Sequence, residues 1–181
     1  MPVFLDAPEE ANIIGRLITG YGELEFDLAM CLSRFTHDRE SAFRAMFRVR
    51  SEGGRLHIAE SLLFGPLTSL GLRNEYTDVK GAMRYCLRIR NQYAHCHWGE
   101  YNNRKPYFIN MEEEVKKDIP KDHYDYMGVS LKILKDQELY YAYTQNCLWF
   151  LSHEVDVKRQ KLKRQPFSMP SKLVPPKLHN P

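Results

Sequence analysis

No two of the four cysteines, Cys31, Cys86, Cys96 and Cys147, stand in the CxxC spacing that marks zinc ribbons and dithiol redox sites. Each lies among apolar residues at helical spacing, where a thiol acts as a small hydrophobe, so the reduced thiols of a cytoplasmic protein are expected. Also missing is any apolar run near the ~20 residues that a membrane-crossing helix needs. The first ten positions carry Asp6, Glu9 and Glu10 where a secretory leader would carry lysines. Neither a membrane partner nor a secretory route is expected. No internal repeat is present, which excludes solenoid architectures. Charge of one sign is scarce too: 26 Lys and Arg against 23 Asp and Glu leave a formal charge of +3. Phosphate binding needs clustered cations, so that total does not mark a nucleic-acid protein and local grouping matters more.

What remains is a chain of 181 residues, 43% hydrophobic, with eleven tyrosines and nine phenylalanines. This is enough to bury one core, so we expect a single domain over residues 1–164 and an extended tail over 165–181, where five prolines interrupt any period. The tail either stays mobile or lies along another surface. Between Pro8 and Phe35, Ile14, Leu17, Ile18, Tyr21, Leu24, Leu28, Cys31 and Leu32 recur at steps of three and four, predicting a first helix. Glu25 falls on its apolar face and calls for a partner. Ser41–Arg50 and Arg55–Phe64 read as shorter helices, broken by Gly53-Gly54 and ended by Gly65-Pro66. A fourth helix is predicted from about Glu75 to Trp98, with Asn74 as N-cap and Gly99 as terminator. Residues 106–111 and 129–133 alternate with period two, suggesting a small hairpin within 101–135. From Asp136 a long helix presents Leu139, Tyr143, Cys147, Phe150, Leu151 and Val155 inward and runs into the basic stretch 158–164. The expected fold class is all-α with a small β-hairpin insertion and a Pro-rich C-terminal tail.

On a helical wheel the fourth helix divides into a polar arc of Lys80, Arg84, Arg88, Asn91, Gln92 and His95 and an apolar arc of Val79, Ala82, Met83, Cys86, Ile89, Tyr93, Ala94 and Cys96. Arg90 falls within the apolar arc. A guanidinium cannot shed its proton to escape burial, so it must meet a carboxylate, a set of carbonyls, a subunit interface or an arriving anion. Glu25 and Glu154 are the carboxylates on offer.

The run Arg90-Asn91-Gln92-Tyr93-Ala94-His95 resembles the signature of HEPN domains: an arginine, a polar neighbour, and a histidine after four to six intervening positions. Arg90 to His97, Arg88 to His95 and Arg50 to His57 also satisfy that spacing. The Arg90 pair is distinguished by the adjacent asparagine, by its place near the end of a long helix and by its apolar setting. The resemblance implies a HEPN-like helical bundle that dimerises about a two-fold axis and brings two motifs together in a cleft. In many members it implies metal-independent cleavage of RNA, in a toxin or defence setting where an antitoxin or another protein is the partner. No cofactor is implied. A histidine titrating near neutrality would take a proton from the ribose 2′-hydroxyl or deliver one to the leaving oxygen. Arg90 would steady the charge on phosphorus, and Asn91 would hold substrate or orient a catalytic group.

On a regular helix Arg90 and His95 are about 140° apart and converge only if the last turn loosens or two chains build the cleft, whereas Arg90 and His97 are nearly in line. His95 is therefore the first candidate on resemblance and His97 on geometry. Arg44, Arg48, Arg84, Arg88, Lys158 and Arg159 are candidate phosphate contacts. The same cations also suit a rival reading, a non-catalytic HEPN-like dimer that grips RNA or a protein. Zinc binding by His95, Cys96 and His97 is set aside, because consecutive helical residues diverge and cannot close a tetrahedral site.

Overall fold

The computed structural model describes residues 3–100, 105–116 and 124–179. Residues 101–104 and 117–123 of the expected hairpin region lie outside that description, as do the last two positions of the tail. The described fold is mainly helical: α1 (Pro8–Leu32), α2 (Arg39–Phe47), α3 (Glu52–Ser69), α4 (Arg73–Ala94), β1 (His97–Glu100), β2 (Pro106–Ile109), α5 (Met111–Lys116), β3 (Met127–Gly128) and α6 (Leu131–Lys158). α1, α4 and α6 pack on one another, α3 lies against α1 and α4, and α2 bridges α1 to α3. One contiguous core joins them, from Ile13 on α1 through Val155 on α6 and out to Phe108 of the sheet. The α1 periodicity is met: Ile14, Leu17, Tyr21, Leu24, Leu28, Cys31 and Leu32 are all buried, and Ile18 is partly so.

Helix boundaries depart from expectation for local reasons. Ser51 caps α3 by accepting the Gly54 N–H, so Gly53 and Gly54 form the first turn and do not break the chain. α3 then continues through Pro66, because the wholly buried Leu63 and Leu67 anchor the turn that lacks one N–H. It ends at Ser69 and is closed by Gly71, whose φ of +73° lets the Gly71 and Leu72 N–H groups bond the Thr68 and Leu67 carbonyls. Asn74 is thereby inside the first turn of α4 and caps nothing.

The largest correction is at the other end of α4. The helix stops at Ala94, and His97 to Glu100 pair antiparallel with Ile109 to Pro106 as β1 and β2. Gly99 is a strand glycine and no terminator: Tyr107 lies across it, and a Cβ there would overlap the ring. The sheet has three strands in the order β1-β2-β3, with β3 at Met127–Gly128. Met111, expected in a strand, opens α5, while Leu131 and Ile133 belong to α6, which Ser130 caps. Leu139 is 64% exposed, because α6 buries Gln137, Thr144 and Ser152 and so turns a different face inward. Tyr143, Cys147, Leu151 and Val155 are buried as expected, and Phe150 is half-buried.

Residues 172–179 form a strap over α4 and α6. The Tyr85 hydroxyl donates to the Pro176 carbonyl, Gln137 Nε2 to the Lys177 carbonyl at 3.0 Å, and Gln92 Nε2 to the His179 carbonyl at 2.7 Å. Of the two fates expected for the tail, the described residues take the docked one.

Candidate active site at the end of α4

The chain leaves helical geometry at His95, whose φ is −115° and ψ 19°. This is the loosened last turn, one of the two routes to convergence that the wheel left open, and it swings the imidazole back toward the guanidinium one turn earlier. Arg90 Nη1 lies 3.2 Å from His95 Nε2 and donates to Asn91 Oδ1 at 3.1 Å. A guanidinium can only donate, so as a hydrogen bond this contact has His95 Nε2 as the acceptor. Arg90, Asn91 and His95 therefore meet within one chain. His97 does not join them: it is exposed on β1, and the in-line geometry proposed for it vanishes with the helix that was to carry it.

Behind the motif stands a chain of ions. Arg90 Nη2 pairs with Glu52 Oε1 at 3.2 Å, and Glu52 also lies 3.7 Å from Arg55. Arg55 clasps Glu25 with two bonds, Nε to Oε1 at 2.7 Å and Nη2 to Oε2 at 3.0 Å, and donates to the Val49 and Arg50 carbonyls. Glu25 thus has the partner its apolar position demanded, but that partner is Arg55. Neither carboxylate named for Arg90 is the one used: Glu154 accepts from Gln165, and Glu52 holds the guanidinium. Burial raises the Glu25 carboxyl above the usual range, Arg55 opposes that shift, and the negative charge of Glu52 adds to it. Nearby, the Tyr21 hydroxyl is buried without a partner, and burial together with Glu25 raises its pKa. Glu52 and Arg55 escaped the sequence reading as site residues. An acidic residue directly after a capping serine was the available signal for Glu52.

Exposure falls off inward along this chain. The side chains of Glu52 and Arg90 are 28% and 20% exposed, those of Arg55 and Glu25 14% and 5%. An anion arriving from solvent therefore reaches Arg90 first, in competition with Glu52.

The opposite flank of the same turn is fixed by neutral groups. The Ser130 N–H donates to His179 Nε2 at 2.9 Å, so His179 carries its proton on Nδ1 and donates it to the Tyr93 hydroxyl at 2.9 Å. Tyr93 in turn donates to Gln137 Oε1. Burial holds the His179 pKa down, at about 4. Cys96 donates to the Gln92 carbonyl, and burial pushes its thiol up to about 11, which leaves no thiolate for nucleophilic work at neutral pH.

The candidate phosphate contacts are not gathered in one place. Arg84 shares Glu60 with Lys80, and Arg88 lies over the Tyr85 ring on the outer side of α4. Arg44 pairs with Glu40 on α2, and Arg48 is exposed beside it. Lys158 and Arg159 end α6, where Arg159 bonds the Arg34 carbonyl and covers Phe35. Since Tyr93 meets α6 at Gln137, the Lys158 end lies about 30 Å farther along that helix and serves a different surface. Among the described residues, no group of three His, Cys, Asp or Glu could hold a metal ion, and no helix is long and apolar enough to cross a membrane. Compared with models of protein families, with curated proteins and with solved structures, the chain matches none.

Proposed function

We propose that the protein is a metal-independent endoribonuclease of HEPN type, working as a cytoplasmic homodimer in a toxin-like or defence role. The observation that carries this reading is the convergence of Arg90, Asn91 and His95 at a half-exposed helix end, with one guanidinium nitrogen serving both neighbours. The four cysteines are free, in keeping with a reducing compartment. In the reaction, a phosphodiester takes the Arg90 N–H that His95 Nε2 holds. The released lone pair accepts the 2′-hydroxyl proton, the 2′-oxygen bonds to phosphorus, and the P–O5′ bond breaks. The 5′-oxygen leaves with a proton from a histidine or water, giving a 2′,3′-cyclic phosphate and a 5′-hydroxyl. Two-fold pairing would supply a second imidazole for that last transfer.

A second reading, a dimeric module that binds RNA or a protein such as an antitoxin without cutting, has its own support. Glu52 already neutralises Arg90 within the chain, so affinity for an anion is moderated there. Purified protein incubated with mixed RNA, with and without EDTA, separates the two. Cutting that persists in EDTA and falls by two orders of magnitude or more in both Arg90→Ala and His95→Ala, with His97→Ala unaffected, supports the nuclease. Salt-sensitive binding with intact RNA supports the module.

A further inference from the structure

Two residues beyond the catalytic candidates, the charged chain ends in an aromatic surface. Phe26 of α1 and Phe43 and Phe47 of α2 form a row, with ring centroids 5.3 Å apart for Phe26 and Phe43 and 5.8 Å for Phe43 and Phe47. Phe26 is 51% and Phe47 44% exposed, which is unusual for phenylalanines packed on one another. α2 buries Ala42 and Met46 and packs the half-buried Phe43 against the core, so Arg39, Arg44, Phe47 and Arg48 are the residues it presents outward, followed by exposed Arg50. Arg44 is paired with Glu40, whereas Arg39, Arg48 and Arg50 form no ion pair among the described residues.

We infer that this row is a stacking platform for unpaired RNA bases, with Arg39, Arg48 and Arg50 tracking the phosphates, and that it delivers a single strand to Arg90 and His95. The inference rests on the proposed ribonuclease reading and names its substrate class. Aromatic faces interleaved with unpaired arginines are what single strands require: rings for bases of any identity and cations for the backbone. The platform also adjoins the motif. Arg55 Cζ lies 5.9 Å from the Phe47 ring centroid, Arg55 reaches Glu52, and Glu52 holds Arg90, so two side chains in unbroken contact separate ring from guanidinium. A duplex keeps its bases stacked inside and offers these rings nothing.

The competing occupant is a second copy of the chain. At the α2 end a two-fold contact would bring Arg39, Arg48 and Arg50 of both copies together with only Asp38 and the Arg44-paired Glu40 beside them, which disfavours self-association there, while the Phe26 end is bordered by Glu23 and Asp27 and would meet bases, not phosphates. Charge complementarity favours the polyanion.

The test measures binding by fluorescence anisotropy in the full-length chain carrying His95→Ala, so that the probe survives. The probe is a labelled ten-nucleotide single-stranded RNA, compared with the same sequence in a duplex. Phe47→Ala in that background is expected to weaken single-strand binding about tenfold and to leave the duplex value unchanged, while Phe47→Trp retains affinity. Arg48→Gln with Arg50→Gln should weaken both probes and flatten the salt dependence. Equal affinity of the parent, Phe43→Ala and Phe47→Ala for the single strand overturns the platform, and so does a Phe47→Ala protein that loses its dimer by light scattering. The nuclease reading is judged separately. Absence of cutting by the unsubstituted chain with Phe47-dependent binding intact sinks the nuclease and keeps the platform; cutting that ignores Phe43 and Phe47 does the reverse.

Discussion

The last turn of α4 has two flanks built on opposite plans. On one, Arg90 and His95 face Glu52, Arg55 and Glu25, a graded series of ions that is most open where the motif is. On the other, Gln92 and Tyr93 are gripped by His179 and Gln137 through neutral bonds, the Ser130 N–H holds the His179 ring, and His179 and Gln137 are 4% and 0% exposed. A charged pair near solvent exchanges partners at little cost, because water and salt stand in for either member. A buried neutral network has no such substitute, so losing any member leaves a donor or acceptor stranded. The buried flank therefore fixes the helix end, and the open flank is free to trade a carboxylate for a phosphate.

That contrast is broken most severely where the ions are themselves buried. Glu25→Ala leaves the largely buried Arg55 without its bidentate partner and is expected to cost about 3–5 kcal/mol, read from urea unfolding. A loss under 1 kcal/mol would mean that Arg55 simply swings out to water and that the inner end of the series is as exchangeable as the outer. On the neutral flank, His179→Ala strands the Ser130 N–H and removes the ring packed edge-on against both Tyr93 and Phe108, for about 2–3 kcal/mol.

Acid probes the same group without a substitution. The folded His179 binds its proton only near pH 4, whereas the unfolded chain's histidine binds one near 6.5. Between those values the unfolded state holds the extra proton, so this contribution to stability is whole above pH 6.5 and declines as pH falls toward 4, by on the order of 3 kcal/mol. A proton on Nε2 would also point at the Ser130 N–H, which forbids the existing contact. The difference in unfolding free energy between the parent chain and His179→Asn should therefore shrink as pH falls across that window. Parallel pH profiles would show that the strap detaches before the ring titrates.

The two flanks were unequally legible. Periodicity placed α1, the body of α4 and most of the α6 stripe, and it marked Arg90 and Glu25 as charges that needed partners. It could not choose those partners, because Arg55 approaches Glu25 through the packing of α3 on α1, a relation between segments that no local period encodes. The end of α4 was misplaced for a similar reason. "HCHWGE" has no helix breaker before Gly99, and only pairing with Pro106–Ile109 draws His97 to Glu100 into a strand. The strap was hidden most completely. It docks largely through the carbonyls of Pro176, Lys177 and His179, and main-chain groups leave no signature in composition.

The smallest stability effect is expected at Glu52, and there the two flanks should separate most clearly. Glu52→Gln removes a carboxylate that is 28% exposed and only one of several groups around Arg55, so the unfolding free energy should change by less than about 1 kcal/mol. The same substitution releases Arg90 from its competitor. In the His95→Ala background, single-stranded RNA affinity at fixed salt should rise several-fold, with a steeper salt dependence as one more cation engages phosphate. A fall in affinity would assign Glu52 the opposite task, holding the guanidinium in the pose that receives substrate. In either case the neutral flank should be untouched, with the hydrogen exchange of the Gln92 and Tyr93 amides unchanged. Slowed or quickened exchange there would mean that the two flanks act as one network, and that the open side is not free to move by itself.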